Sequence, residues 1–290
     1  MNIAELNYSK TNTYLIEGNK GCLLFDTGWA GTYEAFCREL NKTGKKISDI
    51  SFILISHYHP DHMGIAQQIA CEGPVIAVMD VQKDFIHFSD HIFEKENRKD
   101  YRPVDESAVR MVKTGDESRE FLKEMGIDGT VLHTPGHSDD SVSLLLDSGE
   151  LFTGDLNPLY ELELFAGTEV EKSWNMLLSY DPSVVYYGHA RTFVRKGRAG
   201  TDTGNAVTDI AAGNTTAGSS TSGSDASSDL KYAALAEKMM KLIDKGCDVR
   251  KICKKTGADE AFVQDVMRMY LTHPGVSVQG ILDRIEIKGR

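Results

Sequence analysis

A chain of 290 residues is long enough to bury one full hydrophobic core and to carry a small second domain. Its 41% apolar and 26% charged residues are ordinary for a globular protein, and a diffuse net charge of −11 argues against the concentrated basic surface that phosphate-backbone binding needs. Cys22, Cys37, Cys71, Cys247 and Cys253 form no C-x-x-C pair and leave one unmatched, so reduced thiols in a cytoplasmic protein are expected rather than a disulfide framework. The start, Met1-Asn2-Ile3-Ala4-Glu5-Leu6, lacks the basic and apolar stretches of an export signal, and no run of about 18 apolar residues marks a membrane span.

In chain order, short apolar runs predict strands over Asn12–Glu17, Cys22–Asp26, Phe52–Ser56, Val75–Met79, Thr130–His133, Val142–Leu146, Leu151–Thr153 and Val184–Tyr187. Amphipathic spacing predicts helices over Thr32–Thr43, Met63–Cys71, Glu117–Met125 and Glu171–Ser179. The mixture implies a layered α/β domain over residues 1–198. Within it, Asp90–Asp116 is charged and weakly periodic and reads as a surface excursion or a lid. Ala199–Ser228 is dominated by Ala, Gly, Ser and Thr, with no Lys, Arg or aromatic residue, and is expected to be a flexible linker. Beyond it, Leu230–Ile243, Val249–Lys255, Glu260–Leu271 and Val278–Ile285 read as helices of a small domain over 229–290.

One hexapeptide stands apart from this pattern. His57-Tyr58-His59-Pro60-Asp61-His62 places three imidazoles and a carboxylate on the turn between a predicted strand and a predicted helix. A divalent ion such as zinc needs nitrogen and oxygen ligands at roughly 2.0–2.2 Å, which a tight turn at a strand end can converge. His57 and His59 can reach one ion, while Asp61 and His62 can turn toward a second. Three more candidates follow predicted strands: His137 after Thr134-Pro135-Gly136, Asp155 after Phe152-Thr153-Gly154, and His189 after Tyr186-Tyr187-Gly188. The glycine before each allows unusual backbone angles and a close approach. His87 and His91, spaced four apart without a Glu between metal-binding histidines, read as a surface pair.

These segments, in this order, resemble the metallo-β-lactamase-fold superfamily of metal-dependent hydrolases, in its dinuclear, glyoxalase II-like or lactonase-like branch. Asn12-Thr13-Tyr14-Leu15-Ile16 and Leu24-Phe25-Asp26-Thr27-Gly28 resemble the opening hairpin, and His57-x-His59-x-Asp61-His62 resembles the signature, so the likeness covers roughly residues 10–192. It implies a four-layer αβ/βα sandwich followed by a small, winged-helix-like helical domain. It implies one metal on His57, His59 and His137, a second on Asp61, His62 and His189, and Asp155 bridging them. Asp26 matches a position that braces the ligand loop without ligating. Tyr160, beyond Asp155, matches in part a tyrosine that some lactonases use on the developing oxyanion.

The chemistry implied is attack by a metal-bridging hydroxide on an ester, thioester or lactone of a small molecule, with Asp61 accepting a proton and helping to return it to the leaving group. Two divalent ions are the expected cofactors, with zinc foremost; iron and manganese accept the same donors. Two other readings compete. One is a di-iron protein that binds or reduces dioxygen or nitric oxide, although His59 stands where the flavin-linked branch carries Glu. The other is a phosphodiesterase or nuclease, which the acidic balance disfavours. In the tail, Ile252, Gly257, Val263 and Val266 have helix-turn-helix-like spacing, but Asp259, Glu260 and Asp265 would set negative charge against phosphates. The expected partner is therefore a small-molecule substrate, not nucleic acid or membrane, with homo-oligomerisation left open.

Overall fold

The computed structural model describes residues 1–195, 225–272, 278 and 280–282. They fall into two compact units, the first over 1–157 and 167–195, the second over 158–166 and the described residues from 225 onward.

The first unit is built on two sheets. The six-stranded sheet runs in sequence order: β1 (Asn2–Leu6), β2 (Thr13–Glu17), β3 (Cys22–Phe25), β4 (Ile50–Leu54), β5 (Val75–Met79) and β6 (Arg110–Val112). Its first three strands pair antiparallel and the rest parallel. The parallel pairings need crossovers, supplied by α1 (Tyr33–Lys42), then α2 (Pro60–Met63) and α3 (Ala66–Ala70), then α4 (Asp90–Lys95). The five-stranded sheet has the order β11-β10-β9-β8-β7, from β7 (Gly129–His133), β8 (Val142–Leu146), β9 (Glu150–Phe152), β10 (Val184–Tyr186) and β11 (Phe193–Val194). Helices α5 (Asp116–Glu124) and α6 (Glu169–Ser179) complete the unit.

Continuous apolar strands report that both faces of a sheet are covered. In β3, Leu23 and Phe25 join a core shared with Val131, Val142, Leu144 and Phe152 of the other sheet, while Cys22 and Leu24 join a second core with Phe36 and Leu40 of α1 and Ile69 of α3. On the far side α6 buries Val170, Trp174 and Leu177, and Trp174 Nε1 donates to the Asn157 carbonyl at 2.7 Å. The result is a mixed α/β fold with two sheets packed face to face and helices outside them.

Three short strands differ from the expectation. β1 pairs with β2 over its whole length, β6 lies inside the stretch read as an excursion or lid, and β11 has two residues. β6 and β11, with three and two residues, are too brief to show a period, while β1 is as long as β5 but Asn2 and Glu5 interrupt its apolar run. The 90–116 stretch is packed in place: Phe93 is fully buried, meets the Trp29 ring edge-on and stacks on Tyr101 at 4.0 Å. The helix expected over Met63–Cys71 is two short ones, α2 and α3.

In the second unit, α7 (Asp225–Asp244), α8 (Val249–Thr256) and α9 (Glu260–Thr272) enclose Met239, Ile243, Ile252, Val263, Val266 and Ile281. Asp248 caps α8 by accepting from the Lys251 amide, and Gly257 ends it in the left-handed region at φ 74°. α7 begins at Asp225, inside the stretch read as linker; residues 199–224 of that stretch lie outside the described residues, as does most of Val278–Ile285. No helix among the described residues is long and apolar enough to cross a membrane.

Candidate metal centre

The hexapeptide leaves β4 and enters α2, with Pro60 at the first helical position, where its missing N–H breaks no helical bond. The turn is pinned from several sides. Tyr58 N–H donates to Asp140 Oδ2 at 2.7 Å, the Gln82 amide donates to the Ile55 carbonyl at 2.8 Å, Thr11 Oγ1 donates to the Asp61 carbonyl at 2.7 Å, and Thr27 Oγ1 donates to the His62 carbonyl at 3.0 Å.

Onto this turn the loops after β7, β9 and β10 bring His137, Asp155 and His189. Ligand-capable atoms of His57, His59 and His137 lie within 4.8 Å of one another, as do those of Asp61, His62 and His189, and those of His57, His62 and Asp155. Asp155 stands between the groups: Oδ1 is 3.2 Å from His62 Nε2, and Oδ2 is 3.6 Å from His137 Nε2 and 3.5 Å from His189 Nε2. All seven side chains named from the sequence thus meet at one place.

Two of the three glycines act through backbone conformation, Gly136 at φ 144° and Gly154 at φ 55°. Gly188 does not have a positive φ. It is required for space, because a Cβ there would sit 2.5 Å from Asp155 Oδ1 and 2.9 Å from His62 Cε1. The expectation of unusual angles at all three glycines therefore needs this correction.

Asp26, fully buried with φ 62°, accepts from Ser56 N–H at 2.7 Å through Oδ1 and from His62 Nδ1 at 2.8 Å through Oδ2. His189 Nδ1 donates to the Lys10 carbonyl at 2.8 Å. A carboxylate or carbonyl can only accept, so both rings carry their proton on Nδ1 and turn Nε2 toward the cluster. The sequence alone marks Ser56 as no more than a strand-end residue and does not single out Thr11, Gln82 or Asp140. Asp140, three residues past His137, could have been flagged by that proximity; Gln82 carries no local signal.

The electrostatics divide the histidines. Burial, helped by the neighbouring His62, pushes His57 well below the ordinary imidazole value, and burial also lowers His137. Burial would lower His62 too, but Asp155, Asp26 and Asp61 outweigh it and hold His62 well above that value; Asp155 and Asp61 likewise raise His189 against its burial. Burial opposes ionisation of the two acids, yet His62 and His189 bring Asp61 down to about 2, and His189, His62 and His137 hold Asp155 well below the usual range.

A sharper observation concerns unmet hydrogen-bonding capacity. His57 Nε2 is buried with no hydrogen-bond partner, and His62 Nε2 and Asp155 Oδ1, buried beside it, face only each other, as an ion pair at 3.2 Å without full hydrogen-bond geometry. An unsatisfied buried polar atom costs about 1–3 kcal/mol, and these three converge on one another. Two imidazole nitrogens and a carboxylate oxygen are the donor set of a divalent transition metal, so the residues present fit such an ion.

The sequence model of the Metallo-beta-lactamase superfamily matches residues 7–189, which hold every one of these side chains. The chain belongs to the metallo-beta-lactamase superfamily. Its sequence is 28% identical over 193 residues to Beta-lactamase-like protein 2 homolog of Drosophila melanogaster, covering 65% of this chain and 61% of that protein. It is 26% identical over 160 residues to an atrochrysone carboxyl ACP thioesterase of Claviceps purpurea, covering 53% of this chain and 42% of that protein. The chain thus spans less than two thirds of the length of either relative. A metallo-beta-lactamase family protein of Thermus thermophilus shares the fold, with a TM-score of 0.53 at 17% identity over 99% of this chain and 94% of that one.

Tyr160 lies in the 3₁₀ segment Leu159–Phe165, which belongs to the second unit. His87 is exposed and bonded to Asp90 at 2.8 Å and Glu106 at 3.0 Å, and neither it nor His91 joins any metal-capable group among the described residues.

Proposed function

We propose that this superfamily member is a dinuclear metal-dependent hydrolase of an ester, thioester or lactone in a small molecule, with thioesters the first class to test. The observation that carries the reading is the convergence of the buried, unpartnered His57 Nε2 on His62 Nε2 and Asp155 Oδ1. The thioesterase name of the fungal relative supports the choice of bond. In this reading His57, His59 and His137 would hold one ion, Asp61, His62 and His189 the other, and Asp155 would contribute to both. Zinc is the metal we assign, because its borderline character suits this nitrogen-rich set.

Bound divalent ions supply Lewis-acid polarisation of the scissile group and lower the pKa of water toward neutrality. The chain's own residues do the rest. In the metal-free chain the protonated His62 and His189 hold Asp61 low against its burial; with both rings neutral on the ions, the positive charge of the ions would keep this carboxylate ionised. It is therefore suited to orient a nucleophile and pass a proton onward rather than to store one. Asp26 and the Lys10 carbonyl fix the rings of His62 and His189, so the site does not reorganise as charge develops. Residues 1–198 form the catalytic domain of this proposal and 229–290 a helical addition to it.

The test is a panel of acyl thioesters, lactones and phosphodiesters with zinc-loaded protein, beside its chelated form. Zinc-dependent thioester or lactone cleavage is expected. Cleavage of phosphodiesters alone would overturn the choice of bond, and two irons with a visible, dioxygen-sensitive band and no hydrolysis would overturn the enzyme class.

A further inference from the structure

The least regarded residue of the turn links the two halves of the cluster. Ser56 is 1% exposed, and its hydroxyl lies 2.9 Å from Asp26 Oδ2, 3.0 Å from His57 Nδ1 and 3.3 Å from His62 Nδ1. A hydroxyl has one proton. Asp26 can only accept, so that proton points to Asp26, and toward His57 the oxygen can only accept. His57 must then carry its proton on Nδ1, leaving Nε2 bare. The same Asp26 oxygen takes the Nδ1 proton of His62. His57 belongs to one metal-capable triad and His62 to the other.

We propose that Ser56 is a positioning residue shared by both metals: its hydroxyl sets the ring of His57 and, through Asp26, that of His62, so neither triad is assembled independently of the other. The packing around it fits that role. A Cβ on Gly154 would lie 2.4 Å from the Ser56 hydroxyl and 2.5 Å from its Cβ, so only glycine lets the strand end that carries Asp155 close over this oxygen. Without the hydroxyl, His57 Nδ1 would face no acceptor in a fully buried position. Thr11 supplies a contrast, since its hydroxyl holds the Asp61 carbonyl and so touches the second triad alone.

The proposal rests on the metal reading but not on hydrolysis, and its test reads metal and ring state directly. Ser56→Ala, Gly154→Ala and Thr11→Ala in the full chain are compared with the unaltered protein by zinc competition against a chelator, cadmium NMR and nitrogen NMR of the imidazole rings. For Ser56→Ala, zinc affinity should fall about 10–100-fold, both cadmium resonances should move, and His57 of the metal-free protein should lose its single Nδ1–H form. Gly154→Ala, which displaces the hydroxyl without removing it, should move the same two resonances, and Thr11→Ala only one. Unchanged affinity with His57 still protonated on Nδ1, or movement of one cadmium resonance alone in Ser56→Ala, would overturn the proposal. A wild-type chain that takes up no cadmium would instead defeat the metal reading, while the ring spectra of the metal-free proteins would still decide what Ser56 does.

Discussion

The seven converging side chains divide into a floor and a rim. His57 and His62 are 0% exposed and Asp155 14%, whereas Asp61, His137 and His189 are 26–32% exposed. On the rim the polar atoms satisfy one another: His59 Nδ1 meets His137 Nε2 at 3.0 Å, and His189 Nε2 meets Asp61 Oδ2 at 2.9 Å. On the floor His57 Nε2 has no hydrogen-bond partner, and His62 Nε2 and Asp155 Oδ1 face only each other, at 3.2 Å. Water and mutual contacts can relieve a rim residue, but a floor residue has only what the cluster holds. The floor therefore creates the demand for a cation, and the rim completes and opens the site.

The largest effect that could break this division is Asp155→Ala. It removes the carboxylate that faces both triads, and metal content and activity should fall together, beyond the roughly 10–100-fold loss typical of an outer partner. Unchanged metal content by elemental analysis would contradict the bridging position. Next, His57→Ala should lower zinc affinity more than His59→Ala, both read by chelator competition; a reversed order would place the demand at the rim. Asp26→Asn keeps the shape but offers an N–H where His62 needs an acceptor, and should weaken zinc about 10–100-fold.

A milder test is pH. In the metal-free chain His62 and His189 are raised, so each binds a proton at a higher pH than a free imidazole, near 6.5, and that proton must leave before metal enters. Zinc occupancy should therefore begin to fall above about pH 6.5 on acidification, while His57 and His137, both lowered, stay neutral. Occupancy constant down to about pH 5 would contradict this. The smallest effect lies outside the site. His87 is raised by Asp90 and Glu106 against partial burial, so its contribution to stability is full below about pH 6.5 and fades as pH rises through the folded value. His87→Gln should lower the melting temperature slightly in acid and not at all in alkali, because exposed pairs contribute little.

The sequence revealed the chemistry more fully than its supports. Ligand types at strand ends are legible because His57-x-His59-x-Asp61-His62 has no packing rationale, and long apolar runs such as Val75–Met79 and Val142–Leu146 announce buried strands with matching bounds. The brace is less legible. Asp26 is legible only through resemblance, and the contacts of Ser56 with Asp26 and of Gln82 with the Ser56 carbonyl span 30 and 26 residues of sequence, which no local pattern encodes. β6 and β11 are too short to show a period. The sequence marks Gly188 by position but not by cause, since steric room depends on neighbours that only the folded chain supplies.

The most direct test of the central claim is a crystal structure of the zinc-loaded chain with anomalous scattering measured at the zinc edge. Two ions are expected, one contacted by His57, His59 and His137, the other by Asp61, His62 and His189, with Asp155 contacting both. A single ion, or two ions with Asp155 contacting only one, would contradict that claim.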